Sequence, residues 1–101
     1  MALAAVALAG CGSPAPGAPD LRTEGRAVFM RYGCAACHTL RAARARGALG
    51  PNFDTSEKLT RPEIVQQLNA GTGGMPSYRA RLSERQKTAV AEFLYSATHG
   101  K

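Results

Sequence analysis

With 101 residues, no tryptophan and 6% aromatic residues, the chain cannot build a thick core from side chains alone; it holds one small domain that needs a staple. Its 13 Lys and Arg against 7 Asp and Glu give a formal charge of +6, which by itself leaves nucleic acid, anionic lipid and acidic protein open as partners. The apolar run at its start is far shorter than the ~20 residues that cross a bilayer as a helix.

That run, residues 1–10, fits the apolar region of an export signal. It ends in Leu8-Ala9-Gly10-Cys11, which resembles a bacterial lipobox, where the cysteine is lipidated and becomes the mature N-terminus. No Lys or Arg precedes the run, and the plainer alternative is an ordinary signal peptide in which Cys11 is incidental. Cysteine usage favours lipidation. The chain has three cysteines; if Cys34 and Cys37 act together, Cys11 is left over, and an odd thiol in an exported protein needs an occupation. Residues 11–19 then read as a lipidated cysteine with a flexible Pro/Gly/Ala-rich tether. Its eight residues after Cys11 reach at most about 28 Å.

The domain proper is residues 20–101. Leu21, Gly25, Val28, Phe29 and Tyr32 recur at helical spacing, with Asp20 as N-cap and Gly33 as stop. Met30, beside Phe29, reads as a core methionine of that helix. Cys34-Ala35-Ala36-Cys37-His38 follows, the spacing of covalent c-type haem attachment. Two thiols three positions apart can add across the two vinyl groups of one porphyrin, and the histidine that follows is held under the iron as proximal ligand. The spacer alanines let a ring edge lie close to the backbone. A thioredoxin-like dithiol would instead sit at a strand-to-helix junction. Structural zinc would need four ligands, and only Cys34, Cys37, His38 and the distant His99 are at hand.

From His38 to Thr60 we expect loop with at most a short helical turn, carrying Arg41, Arg44 and Arg46 as either an ordinary solvated cluster or a docking patch. Thr60-Arg61-Pro62-Glu63 is a capping box with proline in the first turn, opening a helix with Ile64, Val65 and Leu68 on its apolar face and Gly71 at its end. Gly73-Gly74-Met75-Pro76 comes next. Met75 sits in a glycine–proline loop rather than on a helical face, and its thioether suits iron as a sixth ligand and raises the reduction potential. Ser83-Glu84-Arg85-Gln86 is a second capping box, opening a helix with Val90, Phe93, Leu94 and Ala97 on one face. His99 reads as a solvated tail residue. No segment alternates with period two, so no strands are expected.

Gly33-Cys34-Ala35-Ala36-Cys37-His38-Thr39-Leu40, Gly50-Pro51-Asn52-Phe53, Gly74-Met75-Pro76-Ser77-Tyr78 and a final helix with Phe93 together resemble the class I c-type cytochromes, in their short bacterial mono-haem form. The resemblance runs from about Asp20 to Thr98. It implies an all-α fold, three main helices packed around one covalent haem c, with Cys34 and Cys37 as thioethers and His38 and Met75 as axial ligands. It implies that the Pro51 carbonyl accepts the His38 N–H, that Tyr78 lies against the cofactor, and that Gly25 and Phe29 cross the last helix at Phe93.

The expected function is single-electron transfer by a monomer that is not an enzyme, since both axial positions are filled. It would be tethered by lipid to the outer face of a bacterial cytoplasmic membrane. A membrane dehydrogenase or cytochrome complex would donate and a terminal oxidase or reductase accept, the arginines meeting an acidic docking patch; nucleic acid is excluded as a partner. The alternatives are a haem-bearing subunit of a larger oxidase or dehydrogenase, and a haem sensor or peroxidase, which would need Met75 absent or labile.

Overall fold

Asp20 opens the first helix. In the computed structural model, which describes residues 20–56 and 58–99, its carboxylate accepts the Arg22 amide at 3.1 Å and the Thr23 hydroxyl at 3.0 Å. One of the orphan amides of the first turn is thereby satisfied, and α1 runs Leu21–Arg31. Gly33, with φ +88°, turns the chain out of that helix and into the single turn α2, Cys34–Cys37.

The segment that follows departs from expectation. Thr39–Leu40 (β1) and Ala45–Arg46 (β2) pair antiparallel around a 3₁₀ turn at Arg41–Ala43, with Thr39 opposite Arg46 and Leu40 opposite Ala45. Two-residue strands are too short to show an alternation in sequence. The reversal is made by Arg44 in the left-handed region, φ +55°, which a non-glycine residue seldom adopts.

The two capping boxes form. Thr60 N–H donates to Glu63 Oε1 at 2.8 Å while the Glu63 amide donates to Thr60 Oγ1 at 3.3 Å, starting α3, Arg61–Ala70. Ser83 N–H donates to Gln86 Oε1 at 2.8 Å and the Gln86 amide to Ser83 Oγ at 3.0 Å, starting α4, Glu84–His99. These three longer helices carry the fold, as the hydrophobic periodicities predict. None of the described helices is long and apolar enough to cross a membrane.

α1 packs chiefly on α4, and the crossing depends on Gly25. A Cβ there would land on the Ala89 carbonyl oxygen and 2.7 Å from Phe93 Cβ. Close by, Phe29 meets Phe93 edge-on, ring centroids 5.7 Å apart, and Phe53 at 6.5 Å. Val28, Leu40, Ile64, Leu68, Val90 and Leu94 belong to the same core. Met30 is not part of it: one position past Phe29 rotates it off the buried stripe, and it is 44% exposed. Outside this crossing, a bidentate Arg85–Glu24 pair joins α4 to α1.

Because the atom met at Gly25 is backbone, it cannot swing aside. Gly25→Val is therefore expected to destabilise by about 1–3 kcal/mol or more through overpacking, a fall in melting temperature of roughly 4–8 °C per kcal/mol for a domain this small. Thermal unfolding followed by circular dichroism measures it, and an unchanged midpoint would refute the close crossing.

At the other end of α4, Arg61 donates to both Glu92 oxygens, 2.6 and 3.1 Å, and lies 3.8 Å over the Tyr95 ring. Tyr95 stacks on His99 at 3.9 Å, and His99 Nε2 donates to the Leu59 carbonyl at 3.0 Å. His99, expected as a solvated tail residue, is exposed but ends the helix and is held at one ring face and at Nε2.

Candidate haem site

A cavity of about 710 Å³ opens between α2, the 49–53 loop, α3, the 72–78 segment and the inner face of α4. Its size falls in the ~300–1,000 Å³ range of cofactor pockets. Phe29, Phe53, Leu59, Ile64, Leu68 and Leu94 supply apolar wall; Cys34, Cys37, His38, Met75 and Tyr78 also line it. The site residues expected from sequence within the described part of the chain thus meet in one place. Cys11 lies outside the described residues.

Each of these side chains is delivered by a local device. In α2 the His38 amide donates to the Cys34 carbonyl at 3.0 Å, closing one helical turn. Positions i and i+3 of a turn share a face, so Cys34 and Cys37 come out side by side. Burial pushes the Cys34 thiol up to about 11, with the neighbouring Cys37 adding to it. It is therefore a neutral thiol near pH 7, the reverse of the acidified thiol that a dithiol oxidoreductase uses. Among the described residues no group of three or more His, Cys, Asp or Glu side chains is placed to hold a metal ion, so a zinc ligand set is not assembled either.

His38 is nearly buried and held on three sides. Its Nδ1 lies 2.9 Å from the Pro51 carbonyl oxygen. A carbonyl only accepts, so Nδ1 carries a proton, and in the neutral ring Nε2 is the nitrogen whose lone pair is free to bind a metal. The imidazole stacks on Phe53, centroids 4.3 Å apart and planes 21° from parallel. On a third side lies Gly50, where a Cβ would come within 2.5 Å of His38 Cε1 and 2.8 Å of Nδ1. The loop is drawn in by the Gly50 amide donating to the Cys37 carbonyl at 2.6 Å and the Phe53 amide to the Thr39 carbonyl at 2.9 Å.

Met75 is presented by a tight turn. The Thr72 amide donates to the Met75 carbonyl at 3.1 Å and the Met75 amide returns to the Thr72 carbonyl at 2.9 Å. Gly71 and Gly73 occupy positive φ, +62° and +58°. The segment is then fastened to α3, with the Tyr78 amide on the Leu68 carbonyl at 2.7 Å and Ser77 Oγ on the Asn69 carbonyl at 2.6 Å. The buried Tyr78 hydroxyl donates to the Tyr32 carbonyl at 2.9 Å, joining this segment to the end of α1. Burial pushes its phenol up, so it stays a donor at ordinary pH.

Three participants had no role assigned to them from the sequence, although Gly50 and Phe53 belong to a motif quoted there. Gln67 Nε2 reaches Met75 Sδ at 3.7 Å and Thr72 Oγ1 at 3.1 Å. The signal was present: Gln67 is a polar residue set into the apolar stripe of Ile64 and Leu68. Phe53 and Gly50 act on the imidazole ring through contacts that only the folded loop creates. Arg41, Arg44 and Arg46 are exposed, and none lines the cavity. Their loop leans on α1, where Arg26 Nε donates to the Ala42 carbonyl at 3.4 Å.

The donor set fits a covalently held iron porphyrin: two neighbouring thiols, an imidazole with its outer nitrogen unprotonated, a soft thioether, and walls that are mostly hydrocarbon. Known proteins point the same way. Residues 20–94 match the family model described as Cytochrome C oxidase, cbb3-type, subunit III. Cytochrome c6 of Leptolyngbya boryana is 39% identical over 64 residues, 60% of this chain and 75% of that relative. The crystal structure of the c-type cytochrome SorU from Sinorhizobium meliloti superposes with a TM-score of 0.72 at 32% identity, covering 78% of this chain and 92% of that one.

Proposed function

Because the chain belongs to the class I c-type cytochromes, which are electron-transfer haem proteins, we propose that it carries single electrons through one haem c, joined to Cys34 and Cys37 and ligated by His38 and Met75. The observation that carries this reading is the convergence of two thiols, a correctly tautomerised imidazole and a thioether on one apolar cavity. The bound group supplies reversible one-electron chemistry. The chain's part is to hold and insulate. Pro51 keeps the proton of His38 on Nδ1, Phe53 and Gly50 fix the ring plane, Gln67 directs an N–H at the methionine sulfur, and the apolar wall keeps water away.

His38 and Met75 would together hold the iron and leave no open position for a substrate, which supports a carrier rather than an enzyme. Its place is outside the cytoplasm, tethered through Cys11, with Arg41, Arg44 and Arg46 steering it to an acidic patch on its redox partner. A second reading has its own support. The family model is described as a subunit of an oxidase, and a haem-bearing subunit of a larger complex would present the same cavity.

The test uses purified full-length protein with its haem attached. It should be recovered alone, titrate as a single one-electron couple and, when reduced, take up no carbon monoxide. Its association rate with an acidic partner should fall as salt rises. Co-purification with an oxidase or dehydrogenase would favour the subunit reading. Rapid carbon monoxide binding would reject the carrier.

A further inference from the structure

Lys87 occupies a position where an apolar residue would be expected. On α4 it precedes Val90, Ala91 and Leu94 by three, four and seven residues, the spacing of the buried stripe, and it is only 1% exposed. A lysine is seldom so buried unless paired. Here all three ammonium donors have acceptors: Asn69 Oδ1 at 2.8 Å, Glu84 Oε2 at 2.8 Å and the Arg79 carbonyl at 3.4 Å. Taking an ammonium out of water is costly, and its partners at best offset that cost, so bulk stability does not explain a lysine in the core.

The identity of the acceptors does. Asn69 is in the last turn of α3 and Arg79 follows Tyr78, so they bracket the segment that carries Met75. Asn69 also receives Ser77 Oγ on its carbonyl, and the Arg79 amide donates to the same hydroxyl at 3.2 Å. One cation thus ties both ends of the Met75 segment to each other and to α4.

We propose that Lys87 is a positioning residue for Met75: by bridging Asn69 and the Arg79 carbonyl it holds the 70–79 segment closed and keeps the thioether at the sixth coordination site. This rests on the reading of Met75 as axial ligand, but the anchoring of the segment can be measured separately. Lys87 touches neither axial residue and acts only through the ends of the loop.

The experiment compares haem-loaded wild type with Lys87→Met, which keeps an unbranched chain one atom shorter and removes its donors, and with Asn69→Ala, which removes one acceptor and leaves the lysine. Glu24→Gln, which weakens the α1–α4 ion pair made by Arg85 and touches none of the acceptors of Lys87, controls for general destabilisation. Hydrogen exchange at the Thr72, Met75 and Tyr78 amides reads the anchoring. Carbon monoxide uptake by reduced protein and the methionine–iron charge-transfer band of oxidised protein read the ligation.

In Lys87→Met these amides should exchange about 10- to 100-fold faster than in wild type, as expected for losing hydrogen bonds to a charged group. Carbon monoxide uptake should rise by a similar factor. Asn69→Ala should shift both in the same direction, and the double variant should go no further than Lys87→Met. Glu24→Gln should lower the melting temperature and leave both readouts alone.

Wild-type exchange and uptake in Lys87→Met, or in Asn69→Ala if Lys87→Met does not fold, would overturn the proposal. Faster uptake in Glu24→Gln, matching Lys87→Met, would overturn it too. If wild type lacks the charge-transfer band, the Met75 assignment fails, and the exchange data still decide whether Lys87 anchors the segment.

Discussion

Cys34→Ser combined with Cys37→Ser is expected to abolish haem retention in denatured protein, where wild type made in a host with c-type maturation keeps one haem by mass. Each single variant should keep at most one thioether and a reduced yield. The effect should extend to the fold. The cavity these residues line is about 710 Å³ and mostly hydrocarbon-walled. With no group attached, Phe29, Ile64, Leu68 and Leu94 would face that space without packing partners, in a domain whose whole stability is only ~5–15 kcal/mol. The double variant should therefore lose cooperative unfolding and near-ultraviolet circular dichroism. Extraction of haem from wild type by acid and organic solvent would refute covalent attachment, and a cooperative, native-like double variant would refute the structural role.

Met75→Ala should leave attachment intact and change the iron. The oxidised protein should lose its methionine–iron charge-transfer band, the reduced protein should bind carbon monoxide, and the potential should fall by a few tenths of a volt, part of the ~0.8 V that axial ligands span. The thioether favours ferrous iron more than water does, and the Gln67 amide aimed at the sulfur would have lost its acceptor. A histidine substitute from within the domain is not to hand: His99 lies outside the cavity wall, stacked on Tyr95 and donating to Leu59. Potentiometry and spectra decide; an unchanged spectrum would remove Met75 from the site.

What could be read from the sequence was whatever acts over a few residues. Asp20, Thr60 and Ser83 announced their helices because a cap and its amides lie within three positions. The Cys34–His38 spacing carried its chemistry for the same reason. The missed features are set by distant partners. Met30 is apolar like Phe29 but stands one position past it, off the side of α1 that α4 covers. Lys87 breaks an apolar stripe, which looks like a lapse in periodicity until Asn69 and Arg79 are brought beside it. The β1–β2 pair owes its existence to one left-handed residue, Arg44, of a type that gives no warning.

The joining of α4 to α1 also bears on the order of assembly. Glu24 and Arg85 are 61 positions apart, and bringing two points so distant together has a chain-entropy cost of roughly 4 kcal/mol beyond a fixed term, by the logarithmic law for flexible loops. Such long-range contacts form late and slowly. The attachment motif, by contrast, needs nothing outside a single helical turn. A chain emerging from its N-terminal side therefore displays Cys34, Cys37 and His38 before α4 exists to cover them. On this topology the attachment motif is complete in the chain before the helix crossing at Gly25 can close over it.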